Sequence, residues 1–307
     1  MLSYDRLSKK PLLFKSFTGL TVKEFDDIYD NGISKRHGRH EIRRLSKRKD
    51  SRERSIGAGR PFKLDIKNRF LMLLVYCRLY ITCTLAGFLF DLDQSSICRD
   101  MQKIEPLVRN CLPIPQKIYN IAKRLKTPQE VEQYFPGFLA FIDCTEQQIP
   151  RPVDNKRKKA YYSGKKKRHT VKTQIVVNNR GLIIHKTGHK KGRRHDYNIY
   201  KRNHPVTPKQ VVNVFDLGYL GVEKDFPDQK SSIPNRKKRN QKELAQGEKE
   251  HNQNHSSKRI VIEHTICRMK KYRIIIEKVF RNRLRKHNRV SDMVSGLVNY
   301  RLLASSF

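Results

Sequence analysis

The chain has 307 residues, and 67 Lys and Arg against 29 Asp and Glu leave a formal charge of +38. Self-repulsion on that scale is hard to tolerate without a polyanion, so the composition points to nucleic acid ahead of an anionic membrane or an acidic protein. No C-x-x-C pair joins the six cysteines, and neither Pro11–Phe14 nor Phe70–Tyr76 is long enough for a signal sequence or a membrane span, which argues against a zinc framework, a disulfide framework and membrane insertion.

In chain order, residues 1–60 are expected to hold one short helix and a basic arm. Thr21 followed by Glu24 is a capping-box pattern, so a helix should run from Thr21 to about Tyr29. The basic stretch 35–61 has almost no aliphatic periodicity and could lie along a DNA backbone. Residues 61–126 read as a helix-turn-helix domain. Leu64–Tyr80 is apolar on most sides, as a buried helix is. Ile81–Phe90, a break at Asp91-Leu92-Asp93 and a helix from Gln94 to about Val108 follow, with Ile97, Met101, Ile104 and Val108 on one face. Gln94, Ser95, Ser96 and Arg99 lead that second helix, where the motif reads base edges.

Prolines 113, 115, 128 and 136 mark a joint, and an α/β domain is expected over 127–307. Its predicted elements are a strand over Phe138–Ile149, a hairpin from Thr170–Val177 to Leu182–Thr187 turning at Asn178–Gly181, a helix over His195–Arg202 and a strand over Gln210–Phe215. Residues 224–258 are polar and basic and read as an insertion or long loop. A helix from Arg259 to about Tyr272 and further α-helix close the chain.

Two acids stand out from this background. Asp143 ends the apolar run Phe138-Leu139-Ala140-Phe141-Ile142, and Asp216 ends Val211-Val212-Asn213-Val214-Phe215. A carboxylate in a central strand is costly without a partner, and carboxyl ends of strands are where open α/β sheets build their sites. If the strands are neighbours, the two carboxylates converge and call for a hard, oxygen-seeking cation such as Mg²⁺ or Mn²⁺. On the late helix Arg259, Glu263 and Lys270 share one face, which suits a third ligand between two phosphate contacts. A surface pair between Arg259 and Glu263 is the ordinary alternative.

Asp143-Cys-Thr-Glu146, Tyr162-Ser-Gly-Lys165-Lys166, His195-Asp196, Asp216-Leu-Gly-Tyr219 and Arg259-x3-Glu263-x6-Lys270 together resemble the DDE transposases of bacterial insertion sequences. The group they resemble most is insertion sequence family five with its DDE superfamily endonuclease relatives. The resemblance runs from about Gly57 to about Leu303. It implies an RNase H-like core behind the helix-turn-helix domain, Asp143, Asp216 and Glu263 as the triad, two Mg²⁺ or Mn²⁺ ions, and DNA cleavage followed by strand transfer. It also implies terminal inverted repeats and target DNA as partners, a homo-oligomer in the synaptic complex, no membrane, and a place in the bacterial cytoplasm at the nucleoid. The family often carries a Tyr three residues before the Arg, where this chain has Ser256.

Among other residues, Tyr161, Tyr162 and Lys165, Lys166, Lys167 and Arg168 suit contact with a DNA backbone. Strand alternation puts Glu146 on the face opposite Asp143. Asp196 reads equally as a helix cap and as an auxiliary acid near the site. Two rival functions share these features: a transposase-derived DNA-binding regulator, and a Mg²⁺-dependent nuclease that cuts without joining.

Overall fold

A computed structural model describes residues 1–46, 62–237, 241, 243–276 and 284–305. Short helices α1 (Tyr4–Leu7), α2 (Pro11–Thr18) and α3 (Val22–Ile28) lead the chain, and a π-helical turn joins α3 to α4 (Lys35–Ser46). The expected capping box forms at α3: Thr21 accepts from the Glu24 N–H, and Glu24 accepts from the Thr21 N–H at 2.6 Å. The basic arm is thus helical as far as Ser46, and its remainder lies outside the described residues.

The central helix of this part is α5 (Ile66–Leu79), started by Asp65, whose side chain accepts from the Asn68 N–H. Every residue from Arg69 to Cys77 is buried, as its all-round apolar sequence requires. Phe25 stacks on Phe70 with ring centroids 4.5 Å apart, and the buried Arg69 pairs with Asp100 at 3.1 Å.

Helices α6 (Cys83–Phe90) and α7 (Gln94–Cys111) form the helix-turn-helix pair. Thr82 caps α6 through the Leu85 N–H, and Asp93 caps α7 through the Ser96 N–H. The turn is tight: Leu92 N–H donates to the Gly87 carbonyl at 2.9 Å, and a Cβ on Gly87 would lie 2.4 Å from the Leu92 oxygen. Backbone cannot retreat as a side-chain tip can. Gly87→Ala should therefore destabilise this unit by about 1–3 kcal/mol, the usual cost of overpacking, and weaken DNA binding with it. Urea unfolding and a gel-shift titration test this; unchanged values in both would show that the turn yields freely.

The second compact unit begins at Pro113. It holds α8 (Pro115–Ala122), α9 (Pro128–Tyr134), β1 (Leu139–Gln148), α10 (Asn155–Tyr161), β2 (Tyr162–Ser163), β3 (Arg168–Asn178), β4 (Ile183–Lys186), β5 (Lys190–Lys191), α11 (Asp196–Asn203), β6 (Val212–Val214), α12 (Val222–Asp225), β7 (Ser231–Ser232) and α13 (Gln246–Lys270). Helix α14 (Arg273–Ile276) is divided between the two units, and α15 (Leu284–Ala304) lies largely in the second. The sheet order is β2-β3-β1-β6-β7, with β4 and β5 also pairing with β3. β1 runs antiparallel to β3 and parallel to β6, and β6 runs parallel to β7. An antiparallel meander on one side of β1 and parallel strands on the other make the expected RNase H-like core.

One sheet face packs Ala140, Ile142, Val176, Ile184 and Phe215 against Ile118 and Ala122 of α8, Val131 of α9 and Tyr200 of α11. α13 packs on β1 and β3. The β3–β4 turn needs Gly181, at φ +85° with the Thr265 hydroxyl of α13 2.7 Å from where its Cβ would be.

One expectation is corrected. The polar segment 224–258, read as an insertion or long loop, takes in the end of α12, β7 and the first half of α13, which starts at Gln246 and not at Arg259. Its residues lack an apolar face, so periodicity misses it. Side-chain bonds hold it in place: Gln246 donates to Glu250 one turn on, Asn252 both accepts from and donates to the Asn235 main chain, and His255 donates to the Ser232 carbonyl. His251 and His255 are one turn apart on this helix. Among the cysteines, Cys77 is buried, Cys267 is exposed, and the other four are half-buried. No helix of the described residues is long and apolar enough to cross a membrane.

Candidate active site

Strand β1 carries Asp143, and the parallel pairing of Ala140 with Asn213 and Phe141 with Val214 sets β6 directly beside it. Asp216 follows β6 by two residues, so the two carboxylates reach the same end of adjacent strands. Each is steadied by the main chain that follows it. Asp143 Oδ1 accepts from the Cys144 N–H at 2.7 Å, and Asp216 Oδ1 accepts from the Leu217 N–H at 2.8 Å.

Between them lies the guanidinium of Arg259, from α13. Its Nη2 is 3.3 Å from Asp143 Oδ2 and its Nη1 3.5 Å from Asp216 Oδ1. The cluster is graded in exposure: the Arg259 side chain is 13% exposed, that of Asp143 23% and that of Asp216 49%. Burial pushes the Asp143 carboxyl up, and Arg259 together with the Cys144 N–H offsets this only in part, while the Asp216 charge adds to the rise. The strand ends predict convergent acids, but the cation found between them is the Arg259 guanidinium, a residue expected to serve a DNA phosphate.

Glu263 sits one turn beyond Arg259 on α13 and is exposed. At about 100° per residue, Arg259, Glu263 and Lys270 lie within about 40° of one another around the helix. The buried stripe of α13 runs through His255, Ile262, Thr265, Ile266 and Met269, so Glu263 flanks it. No three His, Cys, Asp or Glu side chains among the described residues gather as a metal-ion cage. The structure therefore unites Asp143 and Asp216 around Arg259 and does not gather Glu263 with them. The ion pairs formed by Arg259 run to the two aspartates across the sheet, where a surface pair with Glu263 was the plain alternative.

The opposite face of β1 holds a second polar cluster. Lys172 of β3, 8% exposed, reaches Asp196 at 2.8 Å and Glu146 at 3.4 Å, and Glu146 also accepts from the Thr170 hydroxyl. Burial alone pulls the Lys172 ammonium down, but Asp196 and Glu146 outweigh it and hold it above its ordinary value. Glu146 thus lies where alternation puts it. Asp196 is the first residue of α11 and does not cap it; its carboxylate goes to Lys172, while its charge acts on Asp143 through space. Lys172 was missed in the sequence because it sits unremarked among many lysines. Its one signal is a lysine facing inward within a strand-like run.

The nucleic-acid candidates fall into two groups. At the start of α7, Gln94, Ser95 and Arg99 are exposed and Ser96 is half-buried. The hydroxyls of Ser95 and Ser96 donate to Asp93, and Arg99 lies over both, so the serines serve the cap and Arg99 projects beyond them. In the catalytic unit, Lys165, Lys166 and Lys167 form the exposed turn of the β2–β3 hairpin, with Lys167 at φ +52°. Arg168 donates to Gln148, and Tyr162 packs edge-on to His169 beside the turn.

Residues 142–299 match the family described as DDE superfamily endonuclease, a stretch containing Asp143, Asp216 and Glu263. The chain belongs to the DDE superfamily of endonucleases. Residues 62–114 match the helix-turn-helix of DDE superfamily endonuclease, which covers α5, α6 and α7. The DDE endonuclease is 34% identical over 246 residues, 80% of its length and 83% of the relative's, to a "Probable transposase for insertion sequence element IS702" of Microchaete diplosiphon. It is 21% identical over 270 residues, 87% of each chain, to a "Putative transposase for insertion sequence element IS112" of Streptomyces albus G. Neither description mentions insertion sequence family five. No solved structure matches the chain. The DDE endonuclease is therefore an enzyme of the insertion-sequence transposase kind.

Proposed function

We propose that this DDE endonuclease cuts DNA at the terminal inverted repeats of its insertion sequence and joins the ends to target DNA, with Asp143, Asp216 and Glu263 as ligands of two divalent ions, Mg²⁺ or Mn²⁺. The observation that carries the reading is the convergence of Asp143 and Asp216 on one cationic group, the Arg259 guanidinium. The fit to a hard ion is chemical: the donors are carboxylate oxygens, with no thiol or imidazole among them. Glu263 supports the set by its place one turn from Arg259, on the side of α13 that also bears Lys270.

When bound, such ions supply Lewis-acid chemistry, making a hydroxyl nucleophilic and easing departure of the opposite oxygen. The chain's own residues do the rest. Asp143 and Asp216 are fixed by the N–H groups that follow them, so their outer oxygens need little reorganisation. Lys270 and the Lys165–Lys167 turn hold backbone phosphates, and Arg99 with Gln94 at the start of α7 reads base edges. The finer partners belong to the same reading: terminal repeats, target DNA, a homo-oligomer that pairs two ends, and action at the bacterial nucleoid.

Incubating the purified protein with its own element ends, a target plasmid and Mg²⁺ or Mn²⁺ tests this. Integrated product is expected. Cleavage without integration would make it a nuclease, and binding without cleavage a DNA-binding regulator.

A further inference from the structure

Arg259 was expected to serve a DNA phosphate, yet its guanidinium lies between the two acids that are to hold the divalent ions. We propose that Arg259 is an internal counter-cation of the Asp143–Asp216 pair, which a divalent ion must displace and which a DNA phosphate draws away, so that DNA binding raises the site's affinity for its ions. This rests on the assignment of Asp143 and Asp216 as ligands.

Three observations support it. The first is place: the guanidinium contacts Asp143 Oδ2, the oxygen left over after Oδ1 has accepted from Cys144. That is the oxygen an incoming ion needs, so the guanidinium and the ion compete for it. The second is the looseness of the hold. Contacts of 3.3 and 3.5 Å exceed the roughly 2.7–2.9 Å of a strong charge-assisted pair, and the Arg259 Nε is buried without a hydrogen-bond partner among the described residues. A guanidinium with an unfilled donor gains when a phosphate offers a bidentate partner. The third is that Arg259 shares its side of α13 with Glu263 and Lys270, so an arm released from the aspartates stays beside the bound strand.

The consequence is a thermodynamic coupling. If DNA removes a competitor of the ion, then the ion must favour DNA binding by the same factor. The acids share the single positive charge of Arg259 before DNA arrives and meet divalent ions afterwards, so the two carboxylates never face each other without a cation. An enzyme arranged in this way keeps its ion affinity low away from its substrate.

The test is Mn²⁺ binding to the full-length protein, read from the electron paramagnetic resonance signal of free Mn²⁺, with and without a duplex copied from the element's ends. In the absence of DNA, Arg259→Gln should bind Mn²⁺ more tightly by about tenfold, within the usual range of site-to-site couplings, and the duplex should then add little. Wild type should bind weakly alone and tighten with the duplex, and Arg259→Lys, which keeps the charge, should stay near wild type. A merely structural role for Arg259 would weaken binding on substitution. Equal or weaker Mn²⁺ binding by Arg259→Gln, in protein whose circular dichroism matches wild type, overturns the proposal. If Asp143→Asn binds Mn²⁺ as wild type does, the ligand assignment itself fails, whatever Arg259 does.

Discussion

Asp143→Asn and Asp216→Asn should each lower DNA cleavage by about a thousandfold or more, the scale on which removal of one member of a catalytic set acts, while each variant still binds the element's ends in a gel shift run without divalent ions. Asparagine keeps the shape and the acceptor for the Cys144 or Leu217 N–H, and removes only the charge. Glu263→Gln is the sharper variant. Glu263 is exposed, so its substitution should leave the melting temperature unchanged, and any loss of cleavage then reports on chemistry alone. Single-turnover cleavage of a labelled terminal repeat measures all three. Full cleavage by Glu263→Gln removes that residue from the site; full cleavage by either aspartate variant removes the site.

The largest stability effect is expected at Lys172, across the sheet from the carboxylate pair. Lys172→Met would leave Glu146, with a side chain 9% exposed, and Asp196 without their cation. Breaking a buried pair from one side costs about 3–5 kcal/mol, since the remaining charge stays out of water. Urea unfolding should show a loss of that order. The triple variant Lys172→Met, Glu146→Gln, Asp196→Asn should recover much of it, because it leaves no lone charge. A loss under about 1 kcal/mol for Lys172→Met alone would mean that water already reaches the cluster and screens it.

The two clusters differ in how far local sequence determines them. Elements with an apolar period are legible: the buried α5, the α6–α7 pair with its Asp93 cap, the α3 capping box, and β1, β3 and β6 with acids where apolar runs end. Each is set by local physics, a side chain satisfying an orphan N–H or a stripe of apolar groups at the helix or strand repeat. The first half of α13 is not legible in that way. Its stability comes from bonds to Asn235 and Ser232, residues distant in sequence, and periodicity carries no trace of such partners. Lys172 was hidden for the same reason, its meaning lying in Asp196 and Glu146 on other elements.

The carboxylates show the division most clearly. Charge and strand context were enough to single out Asp143 and Asp216 and to predict a polyanionic partner, because desolvation makes a carboxylate at the end of an apolar strand expensive wherever the strand lies; Glu263 was named only through the Arg259–Glu263–Lys270 spacing together with the family resemblance. That the two aspartates face one cation followed from the parallel pairing of β1 with β6, and that the cation is Arg259 followed from the packing of α13 on β1. Electrostatics within a chain falls with distance in space, and only the tertiary fold sets distances between residues separated by more than a hundred positions.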